Sequence, residues 1–369
     1  MLDKMDEAKE LSALRVQIDD IDQQIQTLIN QRATCAQRVA DVKQLAAAGE
    51  EVQYYRPERE AQVLRAVMDR NTGPLPAEDM AKLFREIMSC CLALEKPMKV
   101  AFLGPEGTFT HAAALKHFGH FVQAKPMAAI DEVFREVESG QVNYGVVPVE
   151  NSTEGMVNHT LDSFIDSNLF VAGEVKLRIH HHLLSVDSCD DLKSIKRVYS
   201  HQQSLAQCRK WLDANCPQIE RVAVSSNAEA AKLAKAEKGT VAIAGDMAAE
   251  RYELIKCAQN IEDQPDNTTR FLIVGSQIIP ASGKDKTSIM VSAKNKPGAL
   301  YHLLEPFHKA NISLTRIETR PSSSGTWSYV FFIDFEGHID DEKVQHVIQQ
   351  LSPEVVEVKH LGSYPVGVL

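Results

Sequence analysis

The sequence has little that would bind a nucleic acid, cross a membrane or hold zinc. Acidic residues outnumber basic ones by 50 to 40, which gives a formal charge of −10, so the chain lacks the cationic surplus that a phosphate backbone requires. No run of about 18 apolar residues occurs, and the charged N-terminus has no apolar core, so we expect neither a membrane span nor export. The seven cysteines include no Cys-x-x-Cys pair, which indicates neither a disulfide framework nor a zinc site and favours a cytoplasmic protein.

Several catalytic signatures are also missing. The loop 104–107 lacks the Lys-Ser/Thr ending of a P-loop and the third glycine of a dinucleotide fingerprint. No Gly-x-Ser-x-Gly elbow supports a hydrolase triad among His201, Ser204 and Asp213. The three consecutive histidines 180–182 would alternate between the faces of a strand and chelate poorly. We therefore expect neither a metal nor a cofactor.

The residues that are present divide the chain into three parts, of which the first is helical. With 369 residues, 44% hydrophobic and 24% charged, the chain has the composition and length of two or three globular domains. Seam positions recur every three or four residues from Leu11 to Val42 and are apolar except at Arg32, which is typical of a heptad seam. A helix from Leu11 to about Ala46 would be about 50 Å long and needs a partner, most naturally a second copy. Two shorter amphipathic helices complete an all-α domain over residues 1–96.

Beyond residue 99 predicted strands alternate with helices. This alternation predicts α/β layers over residues 99–276. A turn-rich linker then leads to a last unit over 286–362 whose order is βαββαβ, a ferredoxin-like α+β domain. We therefore expect a multidomain protein.

One charge interrupts the apolar seam of the long helix. Arg32 occupies a core position, where an unpaired guanidinium is costly and an anionic ligand would resolve the conflict. Lys43 lies about 16 Å further along, within converging reach, whereas Arg15 lies about 25 Å the other way and would have to come from an antiparallel partner chain. The alternative is that Arg15, Lys43 and Arg59 are surface charges and that Arg32 forms an interhelical ion pair. The spacing leaves both open.

Four segments of the first domain, Leu14-Arg15-x-x-Ile18, Asn30-Gln-Arg32, Val39-x-x-x-Lys43 and Arg59-Glu60, resemble the helical chorismate mutases found at the start of bifunctional P-proteins. The resemblance covers residues 8–96. It implies a pericyclic rearrangement, which needs a folded substrate and positive charge at the breaking ether oxygen but no nucleophile. The implied chorismate-binding residues are Arg15 of the other subunit, Arg32, Lys43, Arg59, Glu60, Cys91 and Glu95.

The resemblance also assigns roles to these residues. The three arginines would clamp the two carboxylates, Lys43 would face the ether oxygen, and Glu60 would hold the substrate hydroxyl. Cys91 and Glu95 stand where the better-known pattern has serine and glutamine. A glutamine amide donates at any pH, whereas Glu95 donates only when protonated. We count Arg32, Lys43 and Glu95 as catalytic and expect mutase activity to be favoured by acid.

Four polar motifs border predicted strands in the second domain. They are Gly104-Pro-Glu-Gly-Thr-Phe-Thr-His111, Val147-Pro-Val-Glu-Asn-Ser-Thr-Glu-Gly155, Ser200-His-Gln-Gln-Ser204 and Asn267-Thr-Thr-Arg-Phe271. The first three lead towards helices, where free backbone N–H groups favour anions. Each motif alone is more simply a turn or a helix cap. Together they resemble prephenate dehydratase over about residues 99–276.

This second resemblance implies two α/β lobes, like those of a periplasmic solute-binding protein, with the site in the cleft between them. Prephenate must lose its ring hydroxyl as water and its ring carboxylate as CO₂. Thr269 would donate to the leaving oxygen as the catalytic residue, Arg270 would pair a substrate carboxylate, and Phe271 would provide an apolar wall. The other implied prephenate-binding residues are Glu150, Asn151, Ser152, Ser200, His201, Gln202 and Ser204. For Glu150 and His201, a helix cap or a satisfied histidine is an equal alternative.

Two segments of the last domain resemble the phenylalanine-binding segments of ACT domains in this enzyme family, a match that covers residues 286–362. The implied effector-binding residues are Gly298, Ala299, Leu300 and Tyr301 in the first segment and Glu318, Thr319, Arg320 and Pro321 in the second. Gly298 would let a ligand approach the backbone, and the following helix N-terminus would favour its carboxylate. The alternative is an ordinary helix start. The resemblance implies feedback inhibition by L-phenylalanine at a subunit interface.

Two other functions remain open on the sequence. The chain could be a non-enzymatic amino-acid sensor, against which Arg32 in the seam and the Thr269-Arg-Phe271 triplet argue. It could also be a dehydratase whose helical segment only dimerises, in which case Arg32→Ala would leave function intact.

Overall fold

Three helices form the first domain of the computed structural model, which describes residues 4–47, 52–187, 192, 195–293, 296–321, 329–351 and 355–369. They are α1 (Lys4–Ala46), α2 (Pro57–Asp69) and α3 (Ala77–Glu95). Helix α1 has 43 residues, which confirms the long helix that the heptad spacing predicts. Pro57 begins α2, at a position where its missing N–H leaves no hydrogen bond unmade.

The apolar seam of α1 is open in the single chain. Leu11, Ile18 and Ile25 are 47%, 55% and 49% exposed, whereas Leu64 of α2 and Ala81 of α3 are fully buried. A helix with a continuous apolar stripe is stable when another element covers that stripe. The exposed seam therefore has the character of an interface.

The second domain contains two α/β lobes. The first is built from β1 (Lys99–Leu103), α4 (Phe109–Phe118), β2 (Gln123–Met127), α5 (Ile130–Glu138), β3 (Tyr144–Asn151), β4 (Gly155–Met156), α6 (Asn158–Asp166) and β5 (Phe170–Arg178). The second contains β6 (His182–Ser185), β7 (Arg197–His201), α7 (Gln202–Gln207), α8 (Arg209–Asn215), β8 (Glu220–Val224), α9 (Asn227–Ala236), β9 (Thr240–Ala244), α10 (Asp246–Tyr252) and β10 (Ile255–Ala258). The chain then returns to the first lobe as β11 (Thr268–Gly275).

Each lobe is organised around its own sheet. The first sheet has the strand order β2-β1-β3-β11-β5, with β4 paired to β3, and the second has the order β10-β6-β9-β7-β8. Strand β11 runs antiparallel to both β3 and β5, so the start of β11 lies beside the end of β3. This return strand brings the motif at 267–271 next to the motif at 147–155, at the edge that faces the second lobe.

The third domain has the predicted βαββαβ order. Its elements are β12 (Asp285–Ala293), α11 (Ala299–Lys309), β13 (Leu314–Pro321), β14 (Tyr329–Glu336), α12 (Glu342–Leu351) and β15 (Val355–Pro365), and its sheet order is β13-β14-β12-β15. Leu303, Phe307 and Val347 of the two helices cover one face of this sheet. Met290 and Phe332 on the other face join the core of the first lobe. The third domain is therefore packed directly against the second.

Arg65 connects the first domain to the rest of the chain. Its guanidinium donates to the main-chain oxygens of Ser282 (3.2 Å), Lys284 (2.9 Å) and Val366 (3.3 Å). One side chain of α2 thus holds both the linker before β12 and the segment after β15.

Two further observations concern the overall class of protein. Among the described helices, none is long and apolar enough to cross a membrane. Of the cysteines in the described ranges, five are free thiols and Cys257 is disulfide-bonded, a bond that the spacing of the cysteines did not indicate.

Candidate active sites

Three of the residues predicted in the helical domain converge where the second half of α1 meets the end of α3. Burial raises the pKa of the half-buried Glu95 carboxyl, while Lys43 and Arg32 act in the opposite direction, which places both cations close to it. The Lys43 ammonium also donates to the main-chain oxygens of Gln53 (3.1 Å) and Tyr54 (3.4 Å). The result is a carboxyl beside two cations, an arrangement suited to a dianionic ligand.

The other predicted residues of this domain have different surroundings. The thiol of Cys91 is buried one helical turn before Glu95. Arg59 is exposed on α2, and Arg15 is exposed on α1, about 25 Å from Arg32 along the helix axis. A single chain therefore does not bring Arg15 to the other cations.

Glu60 faces the two-lobed domain. Its carboxylate accepts from Nε of Arg85 over 3.1 Å, and Arg85 also donates to the main-chain oxygen of Lys116 in α4 over 2.8 Å. Burial raises the pKa of Glu60 on balance, although the charge of Arg85 and hydrogen bonds from Arg85 and Tyr55 oppose this shift. Consecutive residues on a helix point about 100° apart, so Arg59 is exposed while Glu60 lies in the joint between domains.

A cleft of about 300 Å³ separates the two lobes of the second domain. Five of the predicted residues line it, namely Asn151, His201, Ser204, Thr269 and Phe271. The N-terminal residues of α4 and α9 line it as well. The cleft thus combines hydroxyl and amide groups with two helix N-termini, which favour anions.

Asn151 holds the Thr269 hydroxyl at the first-lobe side of the cleft. Its Nδ2 donates to Oγ1 of Thr269 and to Oδ1 of Asn267, both over 2.8 Å. Its Oδ1 accepts the main-chain N–H groups of Thr153 (3.0 Å) and Glu154 (3.1 Å), which determines the orientation of the amide. Since Thr269 accepts from Asn151, its own hydroxyl hydrogen is free to point into the cleft.

Asn227 organises the second-lobe side of the cleft. It accepts from the hydroxyl of Ser200 (3.0 Å) and donates to the hydroxyl of Ser204 (2.9 Å). Ser200 is fully buried, and its single hydroxyl hydrogen is shared between Asn227 and the main-chain oxygen of Ile243, which lies 2.7 Å away. Ser204 therefore lines the cleft, while Ser200 supports the wall behind it.

Three other predicted residues do not line this cleft. Gln202 is exposed at the start of α7. Ser152 accepts from the main-chain N–H of Thr268 over 2.9 Å and stabilises a turn. Glu150 is half-exposed and lies 3.9 Å from Nε of Arg316 in the third domain. Position within a motif did not reveal these orientations.

Arg270 requires a correction. Side chains alternate along a strand, so Arg270 lies on the face of β11 opposite Thr269. Its guanidinium donates to Glu174 of β5 (2.8 Å), to Asp334 of β14 (2.7 Å) and to the phenol oxygen of Tyr364 in β15 (3.0 Å). The guanidinium is thus engaged by two carboxylates, and the structure does not present it to a substrate in the cleft.

The two predicted effector segments differ in their surroundings. Gly298 has φ +81° and precedes α11, a conformation that glycine adopts at little cost. Leu300 and Tyr301 are 44% and 64% exposed. In the second segment, Arg320 forms a bidentate ion pair with Asp162 of α6 (2.9 and 2.8 Å). The first segment is therefore open, while the second is attached to the two-lobed domain.

Three known protein families match the same three parts of the chain. The chorismate mutase type II family matches residues 14–96, the prephenate dehydratase family matches residues 100–278, and the ACT domain family matches residues 287–352. The bifunctional chorismate mutase/prephenate dehydratase of Stutzerimonas stutzeri is 63% identical over 99% of this chain and 100% of its own length. The chain belongs to this family.

A second relative and a solved structure agree with this assignment. The bifunctional chorismate mutase/prephenate dehydratase of Pseudomonas aeruginosa is 62% identical over 99% of this chain and 100% of its own. The prephenate dehydratase of Arthrobacter aurescens, solved in complex with L-Phe, has a TM-score of 0.67 and 32% identity, and the match covers 73% of this chain and 90% of that one. The predicted three-domain architecture is confirmed.

The dehydratase cleft also contains residues that were not among the predicted substrate-binding residues. Gln207 accepts from Nε2 of His181 (2.9 Å) and from Nδ2 of Asn267 (3.3 Å), and all three line the cleft. Two signals could have found them: Gln207 follows Ser204 by three residues on α7, hence on the same helical face, and Asn267 begins its motif. His181 carried no such signal beyond its place among three histidines.

The three consecutive histidines 180–182 have separate partners. His180 lies 2.8 Å from Glu262, and His182 lies 3.0 Å from Asp246. Burial lowers the pKa of both His181 and His182, which favours their neutral forms. Within the described part of the chain, no three His, Cys, Asp or Glu side chains are grouped to hold a metal.

Proposed function

We propose that the helical domain rearranges chorismate to prephenate, and that the cleft between the lobes converts prephenate to phenylpyruvate with loss of water and CO₂. Membership of the bifunctional family supports both reactions. The observation that carries the second reaction is the Thr269 hydroxyl, oriented by Asn151 at the edge of the cleft. We place both reactions in the cytoplasm.

In the dehydratase reaction, the Thr269 hydroxyl donates to the ring hydroxyl oxygen of prephenate as the C–O bond breaks. The C–C bond to the ring carboxylate breaks as well, its electron pair completes the aromatic ring, and CO₂ is released. The departing hydroxide takes up a proton from solvent to become water. A hydroxyl is a weak free acid, so Thr269 acts as a positioned donor rather than as a strong acid. The buried Phe271 side chain provides an apolar wall, against which a carboxylate is weakly solvated.

The carboxylates of prephenate need a binding partner other than Arg270. The N-termini of α4 and α9 supply one, because Phe109, Thr110 and Asn227 line the cleft at the first turns of these helices. The free N–H groups of a first turn bind carboxylates and phosphates. We therefore assign substrate anchoring to these amides and to Ser204 and His201.

In the mutase reaction, Lys43 and Arg32 stabilise negative charge at the breaking ether oxygen and at a carboxylate, and protonated Glu95 donates to the ether oxygen. Arg15 and Arg59 complete the set of cations, Arg15 from a second copy of the chain. The open seam of α1 supports this homodimer, because pairing with a second α1 would cover Leu11, Ile18 and Ile25.

The ACT domain binds L-phenylalanine and inhibits the dehydratase. The Gly298 segment at the start of α11 and the segment 318–321 of β13 form the effector site. The bidentate pair of Arg320 with Asp162 connects the second segment to the dehydratase domain. L-phenylalanine binding is therefore expected to shift the equilibrium between two states of the interface between these domains.

A separation of the two activities tests this function. Thr269→Val keeps the volume and branching of the side chain but removes the hydroxyl. We expect it to abolish phenylpyruvate formation while chorismate consumption continues, and Arg32→Ala to have the converse effect. If the native protein binds chorismate and L-phenylalanine but turns over neither chorismate nor prephenate, the result would instead support a non-enzymatic amino-acid sensor.

A further inference from the structure

We propose that Arg270 is a positioning residue for dehydration, which holds the catalytic end of β11 in place through a buried ionic attachment to the ACT domain. The inference rests on the proposed role of Thr269. It also gives the ACT domain a part in basal turnover, before any effector binds.

The attachment is a buried ionic cluster built on two carboxylates. Arg270 pairs with Glu174 and Asp334, and Lys286 pairs with Glu174 over 2.7 Å. Arg316 also lies near Asp334, with its Nη1 3.8 Å from the carboxylate. The side chains of Arg270, Glu174 and Asp334 are each less than a tenth exposed. Three cations therefore surround two carboxylates in a site from which water is nearly excluded.

Hydroxyl groups complete the hydrogen bonding of the cluster. Ser288 donates to Asp334 over 2.6 Å, and the Tyr364 phenol oxygen lies 3.0 Å from both Ser288 and the Arg270 guanidinium. Buried charged groups that are joined by several hydrogen bonds are held in a well-defined geometry. Arg270 is thereby held in one place by the ACT domain.

The cluster acts on the segment of β11 that carries Thr269. Thr269 pairs with Asn151 of β3 and Arg270 pairs with Glu150, after which the register shifts before Phe271. At such an irregularity the ladder to β3 is locally disrupted, while pairing with β5 continues in register from Thr268 to Ile273. Side-chain contacts therefore contribute to the position of Thr269 relative to β3. A rigid hold on Arg270 therefore fixes the neighbouring Thr269 relative to Asn151 and to the cleft.

Removal of one partner from a buried ion pair leaves the other charge uncompensated. In Asp334→Asn the Arg270 guanidinium keeps Glu174, but the negative charge on β14 that it shares with Arg316 is lost, and only a weaker amide acceptor remains. We expect the start of β11 to shift, and a misplacement of about 1 Å can lower turnover by about 100-fold. Thr269 would remain present but less well aligned.

The test uses the full-length enzyme and the variants Asp334→Asn and Arg270→Lys. Both should lower dehydratase kcat by about tenfold or more with little change in KM for prephenate, and both should shift the L-phenylalanine inhibition curve. The double variant should lose no more than the stronger single variant, because both act through one contact. Mutase activity of the same protein should be unchanged.

A matched control removes a different ion pair across the same interface. Asp162→Asn breaks the contact with Arg320, which does not involve β11, and should leave dehydratase kcat without L-phenylalanine unchanged. Where Asp334→Asn does not fold, Tyr364→Phe removes only the phenol oxygen and should lower kcat by a few fold.

Two outcomes overturn the proposal. The first is native kcat and native L-phenylalanine response in a folded Asp334→Asn or Tyr364→Phe enzyme. The second is a large rise in KM with native kcat in Arg270→Lys, because that pattern belongs to a residue that binds the substrate. Full dehydratase activity of Thr269→Val would instead remove the proposed role of Thr269, whatever the other variants show.

Discussion

The Nδ2 group of Asn151 donates to Oγ1 of Thr269 over 2.8 Å, so Thr269 keeps its own hydrogen for the cleft. In Asn151→Asp, the carboxylate can only accept, and the Thr269 hydroxyl would turn towards it and away from the leaving oxygen. We expect dehydratase kcat to fall by about 100-fold, a typical loss for one positioned donor, with mutase activity unchanged. Asn143→Asp is the control, because Asn143 lies on the same lobe and only accepts from the Lys99 N–H. Turnover of Asn151→Asp within twofold of native would contradict the assignment.

Glu95 should make the mutase reaction pH-dependent. Burial raises the pKa of its carboxyl, although Lys43 and Arg32 oppose the shift. A carboxyl with a raised pKa keeps its proton to a higher pH, and the donating form is lost as the pH rises through that value. Mutase kcat/KM should therefore decline with rising pH, and Glu95→Gln should flatten the profile because an amide donates throughout. The dehydratase profile is the internal control, and an unchanged mutase profile in Glu95→Gln would remove Glu95 from the site.

Arg85 should stabilise the joint between the mutase and dehydratase domains by compensating Glu60. The side chains are 9% and 14% exposed, so Arg85→Ala leaves a buried carboxylate without its counter-charge, with only the Tyr55 hydrogen bond remaining, and should cost about 3 kcal/mol at neutral pH. Burial already raises the pKa of Glu60, and loss of Arg85 would raise it further. A folded-state pKa above the unfolded one lowers stability as the pH rises between the two values, so the deficit of Arg85→Ala should be smaller at about pH 5 than at about pH 8.

Thermal unfolding of native protein and Arg85→Ala at both pH values measures this difference. Lys82→Ala is the matched control on the same helix, because Lys82 forms an exposed pair with Asp79 and should contribute about 0.5 kcal/mol or less. If Arg85→Ala lowers the stability by the same amount at both pH values, the loss comes from the hydrogen bond to the main-chain oxygen of Lys116 and not from the ion pair with Glu60.

The sequence was sufficient for features that repeat at short range. The heptad spacing predicted α1, because an apolar residue on every helical turn specifies one face. The order of strands and helices after Asp285 predicted the ferredoxin-like fold of the last domain. The resemblance of the motifs to prephenate dehydratase implied that Asn151 and Thr269 share one cleft, and the two strands that carry them prove to be neighbours.

Features that depend on a distant partner could not be predicted in this way. Arg270 follows Thr269 directly, but strand alternation sends it to the opposite face, and its partner Asp334 lies 64 residues further on. Glu60 likewise pairs with Arg85 on another helix. A local sequence pattern can show that a buried charge needs an oppositely charged partner. Which residue becomes that partner depends on the tertiary fold.

The mutase site is expected to require two chains, because Arg15 and Arg32 lie about 25 Å apart on one α1 helix. Arg15→Ala and Arg32→Ala should each abolish mutase activity as homodimers while leaving dehydratase activity intact. A heterodimer of the two variants has one site with both arginines and one site with neither. The mutase activity of this heterodimer therefore distinguishes a site shared between two chains from a site within one chain.

Co-expression of the two variants with different affinity tags allows this heterodimer to be isolated. Random pairing makes about half of all dimers heterodimers, and each contains one native site out of two, so the unfractionated mixture should regain about a quarter of native mutase activity. The purified heterodimer should reach about half. The dehydratase activity of every preparation serves as the reference for the amount of folded enzyme. An inactive heterodimer would place Arg15 and Arg32 in the same chain's site, and an active Arg15→Ala homodimer would remove Arg15 from the site altogether.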